Sequence, residues 1–296
     1  MRVFVTGATG FVGSAIVAEL LNAGHQVVGL ARSEAAAAAL TTAGAAVHRG
    51  ALDDLNSLRR AATTADGVIH TAYASLSGDF AEAAETDLRA INAIGEVLAA
   101  SDRPLVITSA TTFIAPGRLA TEHDLAAPAT PRVHASEAAA IALAELGVRA
   151  SVVRLPTSVH GAGDHGFAAQ LIRAARDKGV SAYPDDGTNR WPAVHRLDAA
   201  VLYRLALESA PAGTRLHGVA EQGVAVRDIA EVIGRHTQLP VTSIAAEDAF
   251  AHFGLVGTIL ALDVPASSDL TQKQLDWHPA QSGLIADLDD VHYFTP

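Results

Sequence analysis

The chain has 296 residues, with 21 Lys or Arg against 32 Asp or Glu, so its formal charge is −11 with histidines neutral. It contains no cysteine, which excludes disulfides, thiolate nucleophiles, iron–sulfur clusters and Cys-based zinc sites. The acidic balance argues against a nucleic-acid or anionic-membrane partner, because both attract clustered positive charge.

The hydrophobic pattern indicates a soluble protein. No apolar run reaches the roughly 20 residues needed to cross a bilayer. The first apolar segment begins at Val3 and ends at a glycine turn, so we expect no signal peptide. We therefore expect a cytoplasmic protein that acts on a small molecule and has no membrane partner.

Apolar, β-branched segments alternate with alanine-rich ones through the first half of the chain. The predicted strands are Val3–Thr6, Gln26–Ala31, Ala46–Arg49, Gly67–Thr71, Leu105–Thr108 and Ala150–Leu155. The predicted helices between them are Ser14–Ala23, Ser33–Ala43, Asp54–Ala62, Ala81–Ala100 and Arg132–Leu146. These strands are apolar throughout, as in parallel sheets that helices cover on both faces. The pattern predicts an α/β fold with a Rossmann-type, doubly wound parallel sheet.

The pattern changes after Pro156. Segments containing Gly, Pro and His predict loops at Val159–Gly166 and Tyr183–Pro192. The remaining predicted elements are the helices Phe167–Lys178, Leu197–Ser209 and Val226–His236 and the strand Leu216–Val219. We expect residues 1–155 to form a nucleotide-binding core and residues 156–296 a smaller C-terminal substrate-binding region. The segment at about 190–220 is expected to return to the core sheet.

The segment Thr6–Gly13 has the glycine spacing of a dinucleotide-binding loop. Gly7 permits a tight turn, Gly10 lets the backbone approach a pyrophosphate, and Gly13 allows close packing of helix on strand. The anion then lies on free N–H groups at the positive end of the first helix. The expected cofactor-binding residues of this loop are Gly7, Thr9, Gly10, Phe11, Val12 and Gly13.

The end of the second predicted strand favours NADP(H) over NAD(H). A NAD site usually places an acid there to bind the ribose diol, whereas this chain has Ala31, Arg32 and Ser33. Arg32 can bind a 2′-phosphate by charge-assisted hydrogen bonds, and Ser33 can add a hydroxyl. The alternative is that Arg32 is a solvated residue at the helix start, or stacks on adenine without selecting the cofactor.

Several segments together resemble the extended short-chain dehydrogenase/reductase family, the NAD-dependent epimerase/dehydratase group. They are Thr6–Gly13, Asp66–Ala72, Leu105–Thr112, Arg154–Gly161, Trp191–Ala199 and Gln274–Pro279. The resemblance implies that Ser109 contacts a substrate oxygen and that Thr111 lies nearby. It also implies cofactor contacts by Leu52, Thr71, Ala72, Thr108, Pro156 and Thr157.

The catalytic pair of that family, Tyr-x-x-x-Lys, is absent. In the alignment Val133 stands in place of the tyrosine and Glu137 in place of the lysine. The chain has two lysines, Lys178 and Lys273, and neither is preceded at four residues by tyrosine. The chain therefore resembles the atypical members, which keep the glycine loop and lose the pair.

Other residues would have to replace this pair. Glu137 could accept hydrogen bonds from the nicotinamide ribose, or it could be a solvated helix residue. The candidate proton donors are Tyr73, His134, His160, His165 and His195. Loop histidines such as His160 and His165 are more often substrate contacts or surface residues, and His195, which precedes a helix, is expected to make a local hydrogen bond. Arg190 could hold a substrate anion or carbonyl beside Trp191, or both could simply anchor a loop. The 13 histidines show no helical pair or carboxylate triad of metal-ligand spacing, so we expect no metal.

Two functions remain open at this point. The first is an NADPH-dependent oxidoreductase that reduces a small, largely apolar carbonyl or activated alkene by a nonstandard proton route. The second is an NADP(H)-binding sensor or scaffold without turnover. A sugar-nucleotide epimerase or dehydratase is disfavoured, because those reactions use the missing pair. The alanine-rich helices Ala81–Ala100 and Arg132–Leu146 also predict a homodimer, since relatives pair through these helices.

Overall fold

The computed structural model describes residues 1–73, 80–125 and 135–294. Its strands are, in chain order, β1 (Arg2–Thr6), β2 (Gln26–Ala31), β3 (Ala46–Arg49), β4 (Gly67–His70), β5 (Pro104–Ala110), β6 (Arg149–Leu155), β7 (Ser158–His160), β8 (Ser181–Pro184), β9 (Arg190–His195), β10 (Thr214–His217), β11 (Glu221–Ala225) and β12 (Val241–Ile244).

The helices are interspersed with these strands. They are α1 (Phe11–Asn22), α2 (Glu34–Thr42), α3 (Leu55–Thr63), α4 (Phe80–Leu98), α5 (Ala135–Glu145), α6 (Phe167–Lys178), α7 (Arg196–Ser209), α8 (Val226–Thr237), α9 (Ala249–Phe253), α10 (Leu255–Leu260), α11 (Asp269–Leu275) and α12 (Leu284–Leu288). Short 3-10 turns lie at Ala246–Asp248 and Val291–Tyr293. Within the described ranges, no helix is both long enough and apolar enough to span a bilayer.

Seven parallel strands form the central sheet in the order β10-β6-β5-β4-β1-β2-β3. Neighbouring residues on a strand point to opposite faces, and both faces are buried. Val5 and Ile69 pack in the cluster that includes α1 and α7, whereas Phe4 and Val68 pack in the cluster with α3, α4 and α5. Helices therefore cover both faces of a parallel sheet, and the predicted Rossmann-type fold class is confirmed.

The strand register brings four strand ends to one edge of the sheet. Thr6 is paired with His70 across β1 and β4, and His70 with Ile107 across β4 and β5. Ala110 is paired with Leu155 across β5 and β6. The segments that follow these carboxyl ends therefore lie side by side, where doubly wound sheets bind their ligands.

The second part of the chain forms two small sheets, β11-β9-β7 and β12-β8. Three of their strands, β7, β8 and β9, lie wholly or partly in the segments predicted as loops, so the prediction was wrong there. These strands are three to six residues long and pair with distant segments. Short runs with glycine or proline carry little periodicity, and pairing across long sequence separations leaves no local signal.

The chain returns to the central sheet after residue 195. Helix α7 packs along α1, and β10 adds to the sheet in parallel with β6. The strand expected at Leu216–Val219 is shifted to Thr214–His217. The Trp277 indole donates to the Asp198 carbonyl at 3.1 Å, which fixes the C-terminal region to α7. The division at residues 155 and 156 stays a prediction.

Candidate functional site

The glycine loop between β1 and α1 fits closely against the end of β4. Gly7 has φ +68°, and a Cβ there would lie 2.6 Å from Thr71 Oγ1 and 2.7 Å from the Ala72 nitrogen. A Cβ on Gly13 would lie 2.0 Å from the Gly7 carbonyl oxygen. Side chains are thus excluded from both positions, as a loop that wraps a phosphate with its backbone requires.

The start of α1 leaves an anion-binding surface open. Gly10 is its N-cap and makes no side-chain cap, and the first turn contains no acidic residue. The first-turn amides of Phe11 and Val12 have no intrahelical acceptor, and the exposed Thr9 precedes them. This combination of free amides and a glycine cradle fits the pyrophosphate of a dinucleotide.

Arg32 and Ser33 lie at the carboxyl end of β2. Ser33 caps α2 by accepting from the Ala36 nitrogen at 3.2 Å, which leaves its hydroxyl hydrogen able to donate. Arg32 is exposed, and among the described residues it makes no hydrogen bond or ion pair. Leu52 is partly buried beside the adjacent core cluster. A free guanidinium at this strand end fits the 2′-phosphate expected from the sequence.

A buried series of hydrogen-bonded side chains begins at Thr6, the last residue of β1. The Thr6 hydroxyl and His70 Nδ1 are 2.8 Å apart, and His70 Nε2 lies 2.9 Å from Asp87 Oδ1 on α4. Asp87 also accepts a hydrogen bond from the Ser136 hydroxyl on α5. These hydrogen bonds connect the end of β4 to α4 and α5. The Ala72 nitrogen donates to Thr6 Oγ1 at 3.3 Å.

Sequence reasoning missed Asp87, although a local signal for it exists. Asp87 lies three or four residues from Ala83, Ala84, Ala90 and Ile91, all of which are buried. An acid on the apolar face of a helix is buried with it and must find a partner. The identity of that partner, His70, depends on the β4–α4 packing and could not be read from the sequence.

Tyr73 follows the end of β4, and 47% of its surface is exposed. Burial of the remainder raises the pKa of its phenol, and the negative charge of Asp87 raises it further. The phenol is therefore held in its protonated form at neutral pH. His134 and Val133, the other residues expected near the missing tyrosine, lie outside the described residues.

The end of β5 carries hydroxyls with different surroundings. Thr108 Oγ1 lies 2.6 Å from the Tyr203 hydroxyl and donates to the His70 carbonyl at 3.0 Å. The Tyr203 hydroxyl is fully buried, and this burial raises its pKa. The Thr108 hydroxyl is therefore hydrogen-bonded to Tyr203 on α7 and to the His70 carbonyl. Ser109 is partly buried and is paired in register with Arg154.

Thr111 is 1% exposed, and its Oγ1 has no hydrogen-bond partner among the described residues. Its neighbour Thr112 instead shares a 3.3 Å hydrogen bond with Thr157, which is buried beside Pro156 after β6. Buried hydroxyls are normally paired. An unpaired one at the ligand-binding edge of the sheet is the feature expected of a group that receives a substrate oxygen.

Glu137 lies buried between two arginines. Its two carboxylate oxygens accept from Arg154 at 2.9 and 2.6 Å, and Oε1 also accepts from Arg215 Nε at 2.6 Å. Burial alone would raise the pKa of Glu137, but the hydrogen bonds and charges of the two arginines outweigh it and hold the pKa below its ordinary value. The alternative of a solvated helix residue is therefore wrong, and ribose binding by Glu137 stays a prediction.

The three candidate histidines of the second half lie in different settings. His160 is fully buried, with Nδ1 2.9 Å from Asp287 Oδ2. His195 caps α7 by accepting from the Leu197 nitrogen at 3.3 Å, as the local-bond interpretation predicts. Burial lowers the pKa of His195, and the neighbouring His160 lowers it further. His165 is exposed and lies edge-on to Phe11 of the glycine loop, with ring centroids 5.8 Å apart.

Arg190 and Trp191 are not brought to the strand ends. Arg190 binds both carboxylate oxygens of Asp263, at 3.0 and 2.9 Å. Trp191 is buried in the core of the C-terminal region, with its ring centroid 5.7 Å from that of Phe167. These contacts match the loop-anchor interpretation rather than a substrate grip. In the ranges that the structure covers, no three His, Asp or Glu side chains are grouped to hold a metal.

A model of the NAD dependent epimerase/dehydratase family matches residues 3–217. The chain belongs to this family. The uncharacterized protein C2A9.02 of Schizosaccharomyces pombe is 49% identical over 99% of this chain and 100% of its own. A 4-hydroxy-2-methyl-3-oxo-4-farnesyl-3,4-dihydroquinoline-1-oxide ketoreductase of Stigmatella aurantiaca is 30% identical over 72% of this chain and 66% of its own.

The fold agrees with solved structures of the family. A double mutant of DesIV, a dTDP-glucose 4,6-dehydratase from Streptomyces venezuelae with NAD and DAU bound, matches with a TM-score of 0.80. The identity is 20%, and the match covers 99% of this chain and 97% of that one. The family is NAD dependent, in agreement with the glycine loop. The proteins that this chain is similar to include a dehydratase, an epimerase and a ketoreductase.

Proposed function

We propose that this protein is an NADPH-dependent oxidoreductase that reduces a small, largely apolar carbonyl or activated alkene. The observation that carries the proposal is the unpaired, buried hydroxyl of Thr111 at the same sheet edge as the glycine loop. A buried donor without a partner is costly, and a substrate oxygen would satisfy it. The ketoreductase relative supports a reductase among the activities of the family.

The glycine loop would hold the dinucleotide phosphates on the first-turn amides of α1, and Arg32 with Ser33 would bind the 2′-phosphate. Thr71 and Ala72 after β4, and Pro156 and Thr157 after β6, would flank the nicotinamide. When bound, reduced nicotinamide supplies a hydride to the substrate.

The remaining requirement is a proton for the substrate oxygen, and we assign it to Tyr73. Its phenol is protonated at neutral pH, as a general acid must be, and the residue lies exposed directly after β4, at the same sheet edge as the glycine loop. The Tyr73 O–H bond breaks as the proton passes to the oxygen, and solvent returns a proton to the exposed phenolate. The hydroxyls of Ser109 and Thr111 orient the oxygen by donating hydrogen bonds.

The decisive experiment is an absorbance assay of NADPH consumption with a panel of apolar ketones, aldehydes and enones. Turnover of at least one class, with formation of the reduced product, supports the proposal. Tight NADPH binding without consumption would instead favour the sensor. One observation favours the sensor. Glu137, which the alignment places where the family has its lysine, is bound to Arg154 and Arg215.

We also propose a homodimer that pairs through α4 and α5. Leu125 and Leu146, which flank the α5 region, are 65% and 64% exposed. Their burial against a second copy would remove apolar surface from water. Light scattering of the purified protein tests this, and a mass of one chain would contradict it.

A further inference from the structure

Arg196, the first residue of α7, bridges two segments at the glycine loop. Its Nη1 donates to the Ala162 carbonyl at 3.0 Å, and its Nη2 donates to the Ser14 hydroxyl on α1 at 3.0 Å. The guanidinium carbon lies 4.7 Å from the centroid of the Phe11 ring. Arg196 is therefore held directly beside the first turn of α1.

The charge of Arg196 has no anionic partner among the described residues. Its Nε is buried and unpaired. Because Nη1 and Nη2 make one bond each, three of the five guanidinium N–H groups have no acceptor in the part of the chain that the structure describes. Burial lowers the pKa of this arginine, and no carboxylate offsets the effect. Arg204, on the same helix, pairs with Glu19 and Glu208, and these contacts raise its pKa.

The position of Arg196 makes its uncompensated positive charge more unfavourable. The start of α1 carries the positive end of the helix dipole, and its first turn contains no acidic residue. A partly buried cation therefore lies against a second centre of positive charge. A nearby anion would stabilise both, and one that lies on the α1 amides would be within reach of the unpaired donors.

We propose that Arg196 is a further cofactor-binding residue whose guanidinium contacts the pyrophosphate of the dinucleotide. This assignment rests on the proposed nucleotide-binding function and gives that site a side-chain cation. The phosphate takes the unpaired N–H groups, while Nη1 keeps its bond to Ala162.

The same arginine connects the cofactor with the segment Gly161–Gly166. Gly161 and Gly163 have positive φ, and a Cβ on Gly161 would lie 2.8 Å from His195 Nε2 and 3.0 Å from Arg196 Cγ. The backbone therefore lies directly over Arg196. A phosphate bound to Arg196 holds this segment in place, so cofactor binding orders a loop near the substrate edge.

The test compares Arg196→Gln with Arg204→Gln, a matched loss of charge on the same helix. Calorimetry measures the Kd of NADPH, NADH, ADP-ribose and adenosine 2′-monophosphate, which has a phosphate but no pyrophosphate. Arg196→Gln should weaken the three pyrophosphate ligands by a similar factor of about 10 to 100, the loss of a charge-assisted hydrogen bond. Adenosine 2′-monophosphate should bind as tightly as to wild type, and Arg204→Gln should change no Kd by more than about twofold.

Hydrogen exchange gives a readout independent of affinity. Saturating NADPH should protect the amides of residues 161–166 in wild type and in Arg204→Gln, but not in Arg196→Gln. Unchanged ADP-ribose binding by Arg196→Gln, or an equal loss for adenosine 2′-monophosphate, would overturn the assignment. Absence of nucleotide binding by wild type would overturn the proposed function as well. If the variants bind nucleotides as expected but no carbonyl compound is reduced, only the proposed reductase activity is overturned.

Discussion

Glu137 and Arg154 form a two-bond ion pair inside the protein, which joins α5 to β6. Their side chains are 5% and 0% exposed. The pair is therefore shielded from water, and each buried charge depends on the other for its stabilisation.

Replacing Glu137 by Gln should destabilise the protein by about 3–5 kcal/mol, because it leaves Arg154 buried without a counter-charge. Urea unfolding followed by circular dichroism measures this. The matched control is Glu96→Gln, which breaks the exposed pair with Arg59 and should cost about 1 kcal/mol or less. Equal losses in the two variants would contradict the buried pairing.

The same pair makes stability depend on pH with a definite sign. Because the folded-state pKa of Glu137 is lowered, its contribution is fully present above the unfolded pKa of about 4.3 and is lost as pH falls through the folded pKa. The unfolding free energies of wild type and Glu137→Gln should therefore converge in acid. A difference that stays constant down to the acid transition would argue against an ionised Glu137.

Replacing Thr111 by Val should lower the activity of the protein without lowering its stability. The substitution removes an unpaired buried hydroxyl at nearly constant volume, so stability should stay the same or rise by about 1–2 kcal/mol. Carbonyl reduction should fall at least tenfold in kcat/KM, with the NADPH Kd unchanged. Thr112→Val is the control, since it breaks the bond to Thr157 and should lower stability. A stable, fully active Thr111→Val variant would remove Thr111 from the site.

Replacing Tyr73 by Phe should lower kcat for carbonyl reduction by about 100-fold or more, the usual effect of losing a general acid. The NADPH Kd and the melting temperature should change little, because the phenol is at the surface. Tyr183→Phe, in β8 of the C-terminal region, serves as the control and should keep full activity. Unchanged turnover by Tyr73→Phe would transfer the proton-donor role to another residue.

Replacing Arg32 by Ala should raise the Kd of NADPH about 10- to 100-fold, the loss of charge-assisted bonds to one phosphate. The Kd of NADH should change by no more than about twofold, since NADH lacks that phosphate and an exposed cation contributes little else. Arg173→Ala, an exposed arginine on α6, controls for the change in net charge. Equal losses for the two cofactors would show that Arg32 does not select between them.

Replacing Gly13 by Ala should be far more damaging than replacing Gly10. A Cβ at Gly13 lies 2.0 Å from the Gly7 oxygen, against 3.2 Å for one at Gly10. Overpacking of this kind costs about 1–3 kcal/mol and would also displace the turn that holds the phosphates. Thermal unfolding and NADPH titration measure the two effects, and equal behaviour of the variants would contradict the packing of the loop.

The sequence predicted the first six strands of the central sheet well, because most of them are apolar runs that alternate with helices. The seventh, β10, contains Thr214 and Arg215 and was expected two residues later. The sequence also located the glycine loop between β1 and α1. It failed at β7, β8 and β9, which are short and pair over long distances. The ion-pair partners of Glu137 were likewise hidden, since Arg154 and Arg215 reach it only through tertiary packing.

The return of β10 to the central sheet has a practical consequence for any attempt to isolate the nucleotide-binding part. A fragment of residues 1–155 would lose α7 from the face of α1 and would leave β6 as an open edge strand. Such an edge, with a row of apolar residues beside unpaired backbone groups, recruits strands from other molecules. The shortened chain should aggregate on expression, and a useful minimal version must extend beyond His217.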